Sequence, residues 1–502
     1  MTNNEVFRKY TDQESFSKII SYDSVSQMWK HSVSVYGENK AVLFDGKEYT
    51  YNQLEEDVAL YRTFLISKGI YEGDRVALFS PNSYDFVKAF LALTTLGVCA
   101  AIFPAHLDEA AVFGCCKKFG VKALVYNPAL EDKIKTVKDN EICAISTAES
   151  SDTKTSALDC KGDRDCVIMF TGGTTGKSKG ALLTNQAVLQ GTKNGCYGTK
   201  DVFNQRYILV LPLSHVFGLI RNLLTCLYTG STLFICKNNK DMFKDIAIFK
   251  PTILVTVPAL AEMALNLSRQ FKRNMLGDQL KTIICGAATV SPYLISEYGK
   301  MGVNLLPGYG MTETANLVSG NPRNQERPES VGYLYENQEY KVVNGELWLK
   351  GKNLLKEYVG EPDENASAFQ DGWFKTGDLV RFDQDGLMYI VGRIKEIIIL
   401  ANGENVSPAE VEAKFNELDC IQDSQVFEDR DDMGNHFLAL EVVPRNAELE
   451  KIPVEDKENY LKEELEKINS TLLPYQRVSK ITIRKQDFER SPSMKVLRYH
   501  KC

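Results

Sequence analysis

The apolar run CVIMF, Cys166 to Phe170, leads without a break into TGGTTGKSKG, Thr171 to Gly180. Five apolar residues in a row read as a buried strand, and the stretch after them has the composition of a phosphate-binding loop. Glycines let backbone N–H groups turn inward without Cβ clashes, threonine hydroxyls add donors and lysines add positive charge, so the segment can cradle a polyphosphate. The competing reading is a solvent-exposed hairpin, and three threonines with two lysines in one turn weigh against it. A Walker A loop, GxxxxGK[ST], is the other competitor. Its spacing fails, because three residues rather than four separate Gly172 from Gly176-Lys177-Ser178. Gly180 followed by ALLT also argues for a second strand where Walker A needs a helix.

On both sides of this loop the chain alternates. Helical stretches such as Tyr51 to Lys68 and Tyr84 to Leu96 lie between short β-rich runs: RVALFS, CAAIF, KALVY, then YILVLPL, STLFIC, TILVTV and KTIICG. That texture predicts an α/β fold. Near the start, AVLF, Asp45-Gly46 and KEYTY predict a hairpin, since Asp-Gly supplies the positive backbone angles of a primed turn. Beyond about residue 330 short strands and turns predict a small β-rich region. Ser407, with Pro408 and Glu410 behind it, predicts a helix start with a capping box. Leu461, Leu465, Ile468 and Leu472 predict an amphipathic helix whose stripe packs on core. The last hundred or so residues thus read as a separate α+β unit joined near Gly392 to Lys395.

Composition narrows the partners. Apolar residues make up 44% and charged residues 25%, as in ordinary globular chains. With 59 Lys plus Arg against 66 Asp plus Glu, the net charge of −7 gives no general attraction to nucleic acid or anionic membranes. The opening residues MTNNEVFRKY have no signal-peptide pattern, so a cytoplasmic location is expected. Ala89 to His106 is free of Asp, Glu, Lys and Arg, but Gly97 and Pro104 interrupt it, so a buried helix running into a buried strand is expected rather than an integral membrane segment. Twelve cysteines contain no CxxC and five histidines no HExxH, leaving reduced, mostly buried thiols and no evident transition-metal ligands.

The loop FTGGTTGKSKG resembles the signature of the adenylate-forming superfamily of acyl-CoA synthetases, adenylation domains and firefly luciferase. Further family motifs follow in order: LPLSHVFG (Leu211 to Gly218), GYGMTE (Gly308 to Glu313), GELWLKG (Gly345 to Gly351), WFKTGDL (Trp373 to Leu379), GRIKEIIILANGENVSPAEVE (Gly392 to Glu412) and SPSMKVLR (Ser491 to Arg498). The resemblance covers nearly the whole chain. It implies a large N-terminal domain, 1–394, with mixed and parallel sheets sandwiched by helices and a distorted barrel-like part. A small mobile C-terminal domain, 395–502, would carry a catalytic lysine.

Family members use ATP and Mg²⁺ to convert a carboxylic acid into an acyl adenylate with release of pyrophosphate, and a thiol then displaces AMP. By this resemblance Thr171, Gly172, Gly173, Thr174, Thr175, Gly176 and Lys179 would hold the phosphates, a task suited to hydroxyl, backbone N–H and cationic donors. Within Gly308, Tyr309, Gly310 and Met311, Tyr309 would lie against adenine. Thr312 would add a phosphate-binding hydroxyl, and Glu313 would stand near Mg²⁺, a cation that prefers oxygen ligands. Asp378 would accept hydrogen bonds from the ribose hydroxyls, with Arg393 beside the same sugar. Lys495 would bridge the substrate carboxylate and the α-phosphate, and Lys395 would be the hinge between half-reactions. This sequence departs from the family at Gly172 (usually serine), Ser178 (usually proline) and Met494 (usually glycine). None of the three removes a cation, hydroxyl or carboxylate assigned a role.

Amino-acid-activating relatives keep an aspartate near LPLSHVFG, whereas Tyr207 to Tyr228 contains no Asp or Glu. A buried ammonium without an anion is costly, so a fatty or aromatic acid is expected. His215 would stand at the acyl-pocket entrance, with Phe217, Val257 and Ala287 lining it. Coenzyme A is the expected thiol. A separate carrier protein presents the same phosphopantetheine arm, and the turn at Ala401 to Gly403 would border the tunnel for either. Intact Lys495, Asp378 and Glu313 speak against a catalytically silent relative that works through partners.

Overall fold

The computed structural model describes residues 3–140, 142–171, 179–336, 338–400, 404–431, 436–450, 452–490 and 496–498. A seven-stranded sheet seats Asp165–Thr171 between the parallel strand Cys99–Phe103 and the antiparallel strand Lys179–Thr184. Arg75–Phe79, Ala123–Tyr126 and Cys143–Ser146 continue it in parallel, and Glu357–Tyr358 covers the opposite edge. Val76 and Leu78 enter one core while Ala77 and Phe79 enter another on the opposite face. Burial on both faces is why these strands appear in the sequence as unbroken apolar runs.

A nine-stranded sheet orders its parallel strands Asn304–Met311, Thr282–Cys285, Ile253–Thr256, Arg206–Leu209, Thr232–Ile235 and Lys40–Phe44. Its far edge is the predicted hairpin, where Asp45 (φ 50°) and Gly46 (φ 78°) turn the chain into Lys47–Thr50. One continuous core joins both sheets through the helices Val25–Tyr36, Tyr51–Ser67, Tyr84–Thr95 and Asn185–Asn194. The Ala89 to His106 stretch is a buried helix end followed by the buried strand Cys99–Phe103. Among the described residues no helix is long and apolar enough to cross a membrane.

An antiparallel five-stranded sheet follows in the β-rich region, centred on the long strand Trp373–Phe382. Glu346–Lys350 pairs along one side of it, while Phe369–Gln370 and Met388–Arg393 share the other.

The smaller C-terminal part packs helices Pro408–Phe415 and Lys457–Thr471 on strands Ile421–Arg430, His436–Pro444 and Lys480–Ile483 around its own core. Leu461, Leu465 and Leu472 are buried there and Ile468 packs against them, as the periodicity predicts. Ser407 caps its helix by accepting the Glu410 N–H at 3.4 Å, but it donates to the Val391 carbonyl at 2.6 Å. The capping box is thus realised in one direction only among the described residues, and the same hydroxyl ties the helix start to the strand Met388–Arg393. Among the contacts of the C-terminal part with the rest of the chain, Arg445 Nε lies 2.6 Å from Glu262 Oε1 with its guanidinium 3.8 Å above the Tyr293 ring, and Glu448 Oε1 lies 3.0 Å from Arg269 Nη1.

Candidate active site

The two large sheets bring the carboxyl ends of parallel strands together, the place where open α/β sheets hold ligands. Asp165–Thr171 ends where the glycine-rich loop begins. Asn304–Met311 runs parallel to Thr282–Cys285 as far as Pro307, then changes partner and runs antiparallel to Asn316–Gly320. The switch delivers Gly308 to Met311 and the tight turn Thr312–Thr314 against the strands that flank the loop.

That turn is held in an unusual backbone form, with Ala315 at φ 52° and Asn316 at φ 126°. Such angles are costly for residues with a Cβ and persist only where the surroundings enforce them. Asn353 Nδ2 donates to the Thr314 carbonyl at 3.2 Å, and Thr314 Oγ1 accepts the Met311 N–H at 3.0 Å. Gly191 has to be glycine for this turn to approach, since a Cβ there would stand 2.0 Å from the Ala315 carbonyl oxygen. A Cβ on Gly310 would stand 2.2 Å from the Asn316 carbonyl oxygen.

At the end of the strand Asp165–Thr171, Thr171 is buried and pairs across the strands with Lys179. The Lys179 ammonium lies 2.7 Å from Glu364 Oε2 and 5.3 Å above the Tyr358 ring. Tyr358 Oη donates to Glu313 Oε1 at 2.9 Å. Burial raises the Glu313 pKa above the ordinary carboxylate value, and the Tyr358 bond and the Arg393 charge offset this only in part. Thr312 is buried beside it. One carboxylate flanked by hydroxyls is an all-oxygen donor set that fits Mg²⁺, which takes few protein ligands and completes its shell with phosphate and water. Among the described residues no cluster of three or more His, Cys, Asp or Glu could hold a metal by itself.

Beyond the partner switch of Asn304–Met311, Tyr309, Asp378 and Arg393 converge. Tyr309 Oη donates to Asp378 Oδ2 at 2.6 Å, and Arg393 Nε lies 2.7 Å from Asp378 Oδ1. Asp378 and Arg393 are register partners in adjacent strands, so the sheet itself sets their pairing. Asp378 is almost fully buried while Arg393 is partly exposed. The neighbouring carboxylate raises the Arg393 pKa. Burial, then Asp378, hold the Tyr309 phenol well above its usual pKa, so it is a neutral donor.

In the segment after the strand Arg206–Leu209, the Phe217 N–H donates to His215 Nδ1 at 3.3 Å. The Phe217 ring would be 3.3 Å from a Cβ on Gly286, and the Gly308 carbonyl oxygen 3.5 Å from that same position. Ala287 follows with φ 66°. Val257 is buried and continues the strand whose last residue, Thr256, pairs with Cys285. Phe217, Gly286, Ala287 and Gly308 therefore meet at one place. Lys395 lies exposed in the turn Ile394–Glu396, directly after Arg393.

Gly172, Gly173, Thr174, Thr175, Gly176, Ser178, Met494, Lys495 and the Ala401 to Gly403 turn lie outside the described residues. Two site residues escaped the sequence reading, Tyr358 and Glu364. Tyr358 reaches Glu313 because its two-residue strand pairs with Lys179–Thr184, and Glu364 reaches Lys179 from the short helix Pro362–Ala368. No motif marks either position.

The family described as AMP-binding enzyme matches residues 29–359. An oxalate–CoA ligase of Arabidopsis thaliana is 27% identical over 461 residues, covering 85% of this chain and 89% of its own. A 4-coumarate–CoA ligase-like protein of the same plant is 30% identical over 483 residues, covering 86% and 81%. In three dimensions the chain is similar to the o-succinylbenzoate CoA synthetase of Bacillus subtilis, solved in complex with an acyl-adenylate intermediate. The TM-score is 0.78 at 22% identity, over 95% of this chain and 98% of that one.

Proposed function

Because the chain belongs to the AMP-binding enzyme family, we propose that this site activates a fatty or aromatic carboxylic acid as its acyl adenylate and passes the acyl group to coenzyme A. An AMP-forming acid–CoA ligase is the coarser reading, carried by the family and by relatives named as CoA ligases. The observation that supports the site assignment is the buried Asp378 carboxylate, gripped by Tyr309 and Arg393 where the strand Asn304–Met311 has changed partner.

The chemistry runs in two displacements. A substrate carboxylate oxygen attacks the α-phosphorus of ATP and pyrophosphate leaves in line; the coenzyme A thiolate then attacks the acyl carbon and AMP leaves. The first step needs positioning and charge neutralisation more than covalent help. Mg²⁺, when bound, supplies part of that neutralisation, and Glu313 and Thr312 are the residues that would hold it. Lys179 would exchange Glu364 for the polyphosphate, with the Thr171 hydroxyl as a further donor. Asp378 would accept from the ribose hydroxyls, with Tyr309 and Arg393 fixing its orientation. Lys495 is proposed to bridge carboxylate and α-phosphate, and Lys395 to be the pivot of the C-terminal part between the displacements. The absence of Asp and Glu from Tyr207 to Tyr228 supports an acid without an α-ammonium group.

The test is pyrophosphate release with ATP, Mg²⁺ and a panel of fatty and aromatic acids, with coenzyme A, hydroxylamine or no acceptor. Acid-dependent release that coenzyme A accelerates, with an acyl-CoA product, is expected. Lys495→Ala should lower adenylation roughly 10²- to 10³-fold while sparing transfer from supplied acyl adenylate. Equal loss of both steps would remove Lys495 from that role, and release with hydroxylamine but not coenzyme A would assign the thiol to a carrier protein.

A further inference from the structure

Arg221 lies on the helix Phe217–Leu224, wound with the wide i→i+5 hydrogen bonding that recurs at functional sites. It follows Phe217 by four residues, just under one turn of such a helix, so the two side chains leave the same face. Arg221 is 2% exposed. Its Nη1 has no hydrogen-bond partner, and no carboxylate pairs with it among the described residues. Its charge acts on the Tyr207 and Tyr335 phenols and the Cys196 thiol, with a side-chain hydrogen bond to Tyr207, and each of the three is pushed up to about 12 by burial and so neutral at physiological pH. Glu336, next in sequence to Tyr335, is committed elsewhere, to Tyr197 Oη at 2.9 Å and Lys193 at 3.9 Å. A guanidinium buried without an anion is expensive, and an anion arriving from outside would offset that cost.

The same residues connect Arg221 to the acyl end of the site. Phe217 packs at Gly286 beside the Gly308 carbonyl, and Gly308 pairs in register with Gly320. A Cβ on Gly320 would lie 2.4 Å from Tyr335 Oη, and Tyr335 is one of the phenols around Arg221. Gly286, Gly308 and Gly320 thus link Phe217 to Tyr335, a phenol that feels the Arg221 charge. The hydroxyl of Thr256, one residue before Val257, is also buried with no hydrogen-bond partner among the described residues.

We propose that Arg221 closes the far end of the acyl pocket and receives a second carboxylate, so that the acid activated here is a dicarboxylic acid: a fatty or aromatic skeleton with one carboxylate at the reacting end and one on Arg221. The inference rests on the ligase reading above and narrows its substrate class.

The test measures acid-dependent pyrophosphate release by the full-length enzyme with α,ω-diacids of three to ten carbons and benzene dicarboxylates, each beside the monoacid of equal length. Wild type should favour at least one diacid over its monoacid by roughly 10²-fold or more in kcat/KM. Arg221→Met should lower that diacid's kcat/KM by roughly 10²- to 10³-fold, mostly through KM, and collapse its advantage over the monoacid of equal length. Arg221→Lys should retain part of the preference. An ATP-induced thermal shift in each variant shows that it is folded, and the wild-type preference stands as a measurement even if a variant is not. Release with monoacids at least as good as with diacids, or a folded Arg221→Met enzyme that keeps its diacid rate, overturns the subsite and leaves the ligase reading intact. No release with any acid of either kind overturns both.

Discussion

Tyr309 Oη donates a 2.6 Å hydrogen bond to Asp378 Oδ2, joining a strand of the nine-stranded sheet to the long strand of the antiparallel sheet. A carboxylate so buried loses its water and must be repaid by bonds of this kind, each worth about 1.5–3 kcal/mol when one partner is charged. Asp378→Asn keeps the shape and removes the charge, and is expected to lower kcat/KM for ATP roughly 10²-fold. Tyr309→Phe keeps the ring and removes the bond, with a loss nearer tenfold. Steady-state pyrophosphate release at varied ATP separates the two.

Glu313 carries a pH prediction. Burial raises its pKa in the folded chain above the unfolded value, so its contribution to stability is present at pH below the unfolded value and is lost as pH rises through the folded one. At neutral pH its ionised form is therefore a liability in the ligand-free protein. Glu313→Gln, which can still accept from Tyr358, should raise the ligand-free Tm at pH 7 and leave it unchanged near pH 3. Adenylation by the same variant should fall roughly 10²-fold. A differential scanning series across pH, with and without ATP and Mg²⁺, reads both effects.

Lys179 and Glu364, 2.7 Å apart, predict a competition between carboxylate and phosphate for one ammonium. The pair is partly exposed, so its own worth is small, about 0.2–1 kcal/mol. Glu364→Gln should accordingly tighten ATP binding by roughly two- to fivefold, whereas Lys179→Ala should weaken it. Calorimetric titration of ATP into both variants checks the opposite signs.

Arg445 and Glu262 form the buried bridge between the C-terminal part and the rest of the chain. Removing one member strands the other, so Arg445→Met should destabilise the protein by about 3–5 kcal/mol. Arg445→Met with Glu262→Leu should recover most of that loss. A double-mutant cycle in chemical denaturation reads the coupling, with limited proteolysis between the two parts as a local probe.

The residues differ in how plainly the sequence announced them. Strands such as Arg75–Phe79 were readable because both faces of their sheet are covered, which forces apolar residues at successive positions from Val76 to Phe79. The Asp45-Gly46 turn was readable because few residue pairs accept its backbone angles. Tyr358 was not, because what brings it to Glu313 is strand pairing with Lys179–Thr184, a contact across more than 170 positions that leaves no local trace. Arg221 is instructive in another way. The window Tyr207 to Tyr228 holds no carboxylate, and its one Lys, Arg, Asp or Glu is this cation.

Arg393 is at once the register partner of Asp378 and the last strand residue before the turn that holds Lys395. On the proposed cycle, the grip on the nucleotide's sugar and the swivel of the C-terminal part are therefore two peptide bonds apart. Timing follows from that adjacency. On that cycle a bound nucleotide would add its own contacts to the Asp378–Arg393 pair and so brace the strand end on which the swivel turns, and the departure of AMP would remove them. Loss of product and permission to reset would then be one local event, with no separate sensor for the end of a turnover.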